Sequence, residues 1–365
     1  MSFMQGVYDA VRGKGAKVVY PEGLEERAIR AARWLADNDL VVPVLIGPET
    51  GIREKAKALG VALDGVVVRD PATDPRRAAF EAEYLELRKA KGATPETAAQ
   101  RMALPHFFAA CAVRLGEAAG MVCGLNSETK PFIPAFEIIR MRPGMKRASS
   151  VFVMAWPDKV WFYADCSTII SPDAETLADI GRATAQSARD FGHEPRVAFL
   201  SFSTRDSAKD ASIDRMKEAV RLVREAEPSL LVDGEMQFDA AMLPEVAKKK
   251  CPDSPLGGKA NVFIFPDLNS GNIAYKITER LGGARAFGPL LQGLNKPVND
   301  VSRGCSVQDF ADVAAITARQ AIGARLRVRP DPSLASSGRL GTPASPWRSF
   351  PRPESTFRSH FAQRA

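Results

Sequence analysis

A chain of 365 residues is long enough for two domains with separate cores, and 45% apolar with 25% charged residues is the composition of an ordinary soluble globular protein. No apolar run reaches the ~18 residues that a membrane span needs, and the opening MSFMQGVYDAVRGKG lacks the basic-then-apolar order of a secretory signal. The net charge of +7 gathers in residues 324–365, which hold eight arginines and two acids; with 42 basic and 41 acidic residues elsewhere, nucleic acid is not an expected partner.

The first 140 residues alternate short β-branched runs with amphipathic helices, the order of a largely parallel sheet covered by helices. Lys17–Tyr20 reads as a strand stopped by Pro21-Glu22-Gly23, and Leu24–Asp37 as a helix with Ile29, Ala32 and Leu35 on one side. Val41–Ile46 and Val66–Val68 are further strands, each leading through turn residues into a helical segment. Two long helices follow, about Asp74–Lys89 and Pro95–Leu115, then the strand Gly120–Cys123, the loop Gly124–Pro134 and a short helix near Ala135–Met141.

Strands at Ala148–Trp156 and Val160–Asp165 form a hairpin through Pro157-Asp158, and Ser171-Pro172-Asp173 starts a helix over Ala174–Asp190. Strands near Val197–Leu200, Leu230–Val232, Val262–Phe265 and Ala284–Phe287 then alternate with helices near Ile213–Ala226, Ala240–Lys249 and Asn272–Leu281. The expected division is residues 1–142 plus 300–323 as one α/β domain, 143–299 as a second, and 324–365 as a basic, proline-rich and disordered tail.

Five widely spaced cysteines, no CxxC pair and three isolated histidines argue against a zinc site or a disulfide framework, and for reduced thiols in the cytoplasm. The acids of Asp233-Gly-Glu-Met-Gln-Phe-Asp239 suit helix capping and pairing with Lys248–Lys250 better than a metal. Neither GxGxxG after the first strand nor GxxxxGK[ST] occurs, which disfavours nicotinamide and P-loop nucleotide sites.

Ligands of open parallel sheets bind where strands end in loops. Two loops after predicted strands are rich in hydroxyls, amides and cations: one carries Ser201, Ser203, Thr204 and Lys209, the other Asn269, Ser270 and Asn272. A third stretch, Gln292 to Gln320, runs from a polar loop into a helix whose apolar positions Val307, Phe310, Val313, Ala314 and Ile316 share a face. Ser306 with Asp309 three residues on is the capping-box pattern, and Ser302, Arg303 and Gly304 precede that helix start, where an anion is favoured. The three loops together suggest one cleft for a phosphorylated ligand. The same residues also suit a structural role, with Asp309 only capping and Arg303 pairing with Asp300.

The runs VAFLSFSTRDSAKDASIDRMKEA, LLVDGEMQFDAAMLPEVAKKKCPDSPLGGKANVFIFPDLNSGNIAYKITERLGG and GPLLQGLNKPVNDVSRGCSVQDF resemble the bacterial phosphate acetyltransferases, or phosphotransacetylases, in order and spacing. The likeness extends from about Lys17 to Gln320. It implies a two-domain fold like that of isocitrate and isopropylmalate dehydrogenases with the site in the interdomain cleft, a homodimer, and the reaction acetyl-CoA + phosphate ⇌ acetyl phosphate + CoA. CoA is then a substrate, and no tightly bound cofactor or metal is implied. By the same resemblance Asp309 is the base that takes the thiol proton, Ser302 a stabilising hydroxyl, Arg303 a phosphate- or carbonyl-binding cation, and Arg88 a substrate-binding arginine.

One departure concerns Ile133-Pro134-Ala135, where many members read Arg-Pro-Ala; Lys130, Arg140 and Arg142 are the candidates to replace that charge. The tail beyond Ala324 has no counterpart in the family. Three rival expectations accompany this reading: a phosphate acyltransferase for longer, butyryl-like groups, a metal- and nicotinamide-dependent dehydrogenase of the same fold, and a catalytically silent acyl-CoA-binding module.

Overall fold

Alternation along the strands decides how the layers form. In the strand Lys17–Tyr20, Val18 and Tyr20 enter one core and Val19 the other, because successive side chains point to opposite faces and both faces are covered. The computed structural model describes residues 2–126 and 132–327, so residues 328–365 of the expected tail lie outside the described residues.

Among the described residues eleven strands join one sheet: β1 (Lys17–Tyr20), β2 (Val42–Ile46), β3 (Val67–Arg69), β4 (Gly120–Cys123), β5 (Ser149–Ala155), β6 (Val160–Ala164), β7 (Arg196–Leu200), β8 (Leu231–Met236), β9 (Val262–Ile264), β10 (Arg285–Gln292) and β11 (Val298–Asp300). Their order is β3-β2-β1-β4-β11-β10-β5-β6-β9-β7-β8. From β3 to β11 all neighbours are parallel, as are those from β6 to β8. Between these arms the junctions β11/β10, β10/β5 and β5/β6 are all antiparallel. An odd number of reversals leaves the two arms running in opposite directions. Their carboxyl ends therefore open on opposite edges of the sheet.

One face of the sheet carries a continuous core into which the helices Phe3–Val11, Glu26–Asp37, Ala174–Asp190 and Val307–Arg327 bury Val7, Ile29, Leu177 and Phe310 among others. The other face holds two separate clusters. Phe80, Phe107 and Phe108 cover the first arm, and Phe152, Tyr163 and Phe263 lie over the second. Each fully buried side chain of this size stabilises the fold by roughly 1.5–3 kcal/mol.

The structure departs from the expected elements where local chemistry intervenes. The helix expected over Pro95–Leu115 is two, Pro95–Met102 and Pro105–Arg114, because Pro105 has no N–H to continue the first and stands in the opening turn of the second. Pro244 splits the expected Ala240–Lys249 helix in the same way. The expected Asn272–Leu281 helix starts earlier, at Leu268, since Asp267 accepts the Ser270 N–H at 2.9 Å as its cap. Near Ala135–Met141 the backbone forms a π-turn over Ala135–Ile139. The last helix runs on to Arg327, past the boundary expected at Ala324. The helix Phe3–Val11 and the strand β11 were not expected at all; β11 has only three residues, too few for a period.

Candidate active site

The start of the helix Val307–Arg327 is fixed from both sides. Phe310 is fully buried, with its ring 5.0 Å from that of Tyr20 at the end of β1. An edge-to-face pair of this kind contributes about 0.5–1.5 kcal/mol beyond burial. One residue earlier, Asp309 completes the capping box: its Oδ2 accepts the Ser306 N–H at 3.0 Å and the Ser306 hydroxyl at 2.8 Å, while its own N–H donates to Ser306 Oγ at 3.1 Å. Its other oxygen, Oδ1, lies 3.7 Å from Arg285 Nη2. Capping thus occupies one carboxylate oxygen and leaves the other toward a cation.

Upstream, the turn at Ser302–Cys305 closes through the Cys305 N–H on the Ser302 carbonyl at 2.9 Å. Arg27 Nη1 donates to the carbonyls of Arg303 at 2.6 Å and Cys305 at 3.2 Å, and Arg27 is itself held by Glu25. The turn is therefore pinned through its backbone, and the Ser302 and Arg303 side chains are exposed.

A pocket of about 290 Å³ opens here, lined by Asp300, Ser302, Cys305 and Asp309 together with Arg280 and Arg285. The carboxyl end of β11, the amino end of β10 and the end of the helix Leu268–Arg280 border it. Arg285 was not anticipated from sequence. It binds Asp312 Oδ2 at 2.5 Å, and the buried Asp312 is held in turn by the Tyr8 hydroxyl and by Gln308 Nε2 at 2.8 Å. Burial, with Asp312 adding to it, pushes the Tyr8 phenol above its ordinary range, so it remains a donor. Local sequence suggests Asp300 only as a surface partner of Arg303. Instead it is partly buried, and its carboxyl is pushed up to about 7, chiefly by desolvation, with the Val301 N–H opposing the shift and Glu22 adding to it. Burial likewise raises the Cys305 thiol, against the opposing charge of Arg27.

The other expected binding residues lie apart from this pocket. Ser201, Ser203, Thr204 and Lys209 follow β7, and Asn269, Ser270 and Asn272 follow β9; both strands belong to the reversed arm, so these loops leave the opposite edge of the sheet. Within the chain, the three loops are therefore not brought together around this pocket. Several of their polar groups are committed to the fold. Ser203 Oγ donates to Glu235 at 3.0 Å, and Ser201 Oγ accepts the Ser203 N–H at 3.2 Å. Thr204 Oγ1 accepts the Gln237 N–H at 2.9 Å, while Ser270 Oγ donates to the Asp267 carbonyl at 2.8 Å and Asn272 Nδ2 to the Cys166 carbonyl at 3.0 Å. Asn269 and Lys209 are exposed.

Arg88 does not line the pocket either; it pairs with Glu137 at 3.3 Å, whose second oxygen accepts from the Tyr84 hydroxyl at 3.1 Å. Ile133 is 48% exposed, and of the proposed substitutes for its missing charge Arg140 donates to the Leu87 carbonyl at 3.4 Å, beside Arg88. Lys130 lies outside the described residues. Asp239 pairs with Lys250 at 3.0 Å, and buried Asp233 is held by Arg205 and Arg224, each at 2.8 Å. Among the described residues no group of His, Cys, Asp and Glu could hold a metal ion.

The phosphate acetyl/butaryl transferase pattern matches residues 2–318. The chain belongs to that family. It is 45% identical over 317 residues to the phosphate acetyltransferase of Bacillus subtilis (strain 168), covering 87% of this chain and 98% of the relative. The EutD phosphotransacetylase from Staphylococcus aureus superposes with a TM-score of 0.84 at 41% identity, over 87% of this chain and 98% of that one. The 4-hydroxythreonine-4-phosphate dehydrogenase of Klebsiella pneumoniae matches with a TM-score of 0.52 at 12% identity, over 84% of this chain and 99% of that one, a likeness of fold alone. The family members and that dehydrogenase thus share a mixed α/β fold built on a large, mostly parallel sheet.

Proposed function

We propose that this chain is a phosphate acetyltransferase, interconverting acetyl-CoA and phosphate with acetyl phosphate and CoA. Family membership supports the reaction. The observation that carries the site is Asp309, with one oxygen in the capping box and the other turned toward Arg285, in a pocket shared with Ser302. In this reading Asp309 takes the CoA thiol proton, the thiolate attacks the acetyl carbonyl, and the Ser302 hydroxyl donates to the oxygen on which charge develops. Arg303 and Arg285, with the helix N-terminus, offset the phosphoryl charge. Arg88, beside Arg140, keeps the substrate-binding role that the resemblance implies. We retain the two-domain division at 1–142 plus 300–323 against 143–299, which assigns β1–β4 to the first part and β5–β10 to the second. A cytoplasmic setting accords with the cysteines, all free thiols.

The experiment is phosphate- or arsenate-dependent consumption of acetyl-CoA, run beside butyryl-CoA without metal or nicotinamide. Turnover that favours acetyl-CoA supports the assignment, a preference for butyryl-CoA moves it to the longer-chain activity, and no turnover by folded protein leaves the silent binding module. Because their loops sit on opposite sheet edges, Arg303→Ala should raise the KM for acetyl phosphate about tenfold or more, the loss of one charge-assisted contact, and Lys209→Ala should leave it nearly unchanged. Equal losses in the two variants would move the anion seat to the Ser201–Lys209 loop.

The reading includes a homodimer. Ile273, Ile277 and Leu281 recur every four residues along and just past the helix Leu268–Arg280, and they are 57%, 53% and 84% exposed. An apolar stripe of this kind is a surface for a second copy of the chain. Ile277→Glu combined with Leu281→Glu is expected to convert dimer to monomer in analytical ultracentrifugation; an unchanged mass would place the interface elsewhere.

A further inference from the structure

Asp300 ends β11 and lines the same pocket as Ser302, Asp309 and Arg285. Its Oδ1 is buried and accepts no hydrogen bond among the described residues. The backbone makes room for this oxygen, since a Cβ built on Gly124 would lie 1.9 Å from it and 2.6 Å from the Val301 carbonyl. Glu22 stands close behind, its two oxygens accepting the Leu125 and Asn126 N–H groups at 2.8 Å each. An acid packed against glycine, with one oxygen shielded from water and a second acid nearby, retains its proton to higher pH than an ordinary carboxyl, against the opposing Val301 N–H.

Acyl transfer from acetyl phosphate needs a proton at the leaving group. When the C–O bond to the phosphoryl oxygen breaks without one, the departing species is the phosphate trianion, a strong base that leaves slowly. The thiol proton is on Asp309 in the reading above, so another group has to supply this one. We propose that Asp300 is that acid, giving its proton to the departing phosphoryl oxygen and, in the reverse direction, taking it from the attacking phosphate.

The inference rests on the phosphate acetyltransferase reading, and its steps balance. The S–H proton passes to Asp309, the S–C bond forms, and the electron pair of the broken C–O bond stays on the phosphoryl oxygen. That oxygen takes the Asp300 proton and leaves as hydrogen phosphate. Asp309 then releases its proton to water and Asp300 regains one, so the thiol proton has in effect moved to phosphate. Two carboxyls in unlike environments, one exposed at a helix start and one partly buried at a strand end, are the usual basis for such a division of roles.

The pH dependence follows from the groups around Asp300. Glu22 and Cys123 interact with it directly, and Glu279, Arg280, Arg285, Cys305, Asp309 and Asp312 share the pocket. A group that acts as an acid works below its folded pKa, so kcat/KM for acetyl phosphate in the full-length protein should fall as pH rises through about 7. Asp300→Asn should lower kcat by ~10²-fold and remove that limb, and Asp300→Glu should restore part of both. Glu22→Gln keeps Asp300 but removes a negative neighbour, so it should move the limb to lower pH; it carries the test if Asp300→Asn does not fold. A near-normal kcat with the limb intact in Asp300→Asn, or an unmoved limb in Glu22→Gln, overturns the role of Asp300 alone. Absence of acetyl transfer in the unmutated protein overturns the functional reading beneath it.

Discussion

Asp309→Asn is expected to lower kcat for acetyl transfer by ~10²-fold or more, the range for loss of a general base, while the protein stays folded. The two roles of this side chain separate in that variant. Asparagine still presents an oxygen to the Ser306 N–H, so the helix start keeps most of its cap, and even complete loss of a cap costs only about 1 kcal/mol. What disappears is the charge and the ability to accept a proton. Arg285 is not released by the change, because it remains bonded to Asp312 at 2.5 Å. Steady-state kinetics with a thermal melt of the same preparation decide the matter. Reduced turnover with an unchanged melt makes Asp309 the base, and near-normal turnover returns it to capping alone.

The second large effect is expected at Gly124, where β4 passes into the loop beside Asp300. Its φ of +107° lies in a region that side-chain-bearing residues rarely adopt, and a Cβ there would overlap Asp300 Oδ1 at 1.9 Å and the Val301 carbonyl at 2.6 Å. Gly124→Ala has to displace Asp300 or separate β4 from β11, and the backbone strain alone costs about 1–3 kcal/mol. Turnover should drop by ~10²-fold, because Asp300 and the turn that carries Ser302 move together, and Tm should fall by a few degrees. Gly60→Ala is the matched control. Gly60 has φ +65° but nothing within 4 Å of its Cβ, so that variant should lose a little stability and keep its activity. Similar activity losses in both variants would show that positive-φ strain, and not the approach to Asp300, is responsible.

Much of this molecule is legible locally. The helix Ala174–Asp190 has the expected limits because Asp173 caps it, accepting the Thr176 N–H at 2.8 Å. The capping box of Ser306 and Asp309 forms as the spacing implies. Family resemblance singled out Ser302 and Asp309, and the pocket brings these two together, while Arg88 and the loops after β7 and β9 lie elsewhere. Arg285 escaped notice because its meaning depends on Asp312, 27 residues on in a different element, and on Tyr8, which lies 304 residues from Asp312. Asp300 escaped for a related reason. It packs against Gly124 and feels the charge of Glu22, both of which sequence distance separates from it.

By itself, then, the sequence determined the family, the alternation of strands and helices, the helix starts at Pro95 and Ala174, and the helix end at which Asp309 stands. These depend on apolar periodicity and on hydrogen bonds reaching three or four residues along the chain. Only the tertiary structure decided which loops share an edge of the sheet. Strand direction is set by pairing between distant segments, and three antiparallel junctions at β11, β10, β5 and β6 turn the second arm around. That reversal separates the hydroxyl-rich loops from Asp309 and gives it Arg285 and Asp300 as neighbours in their place.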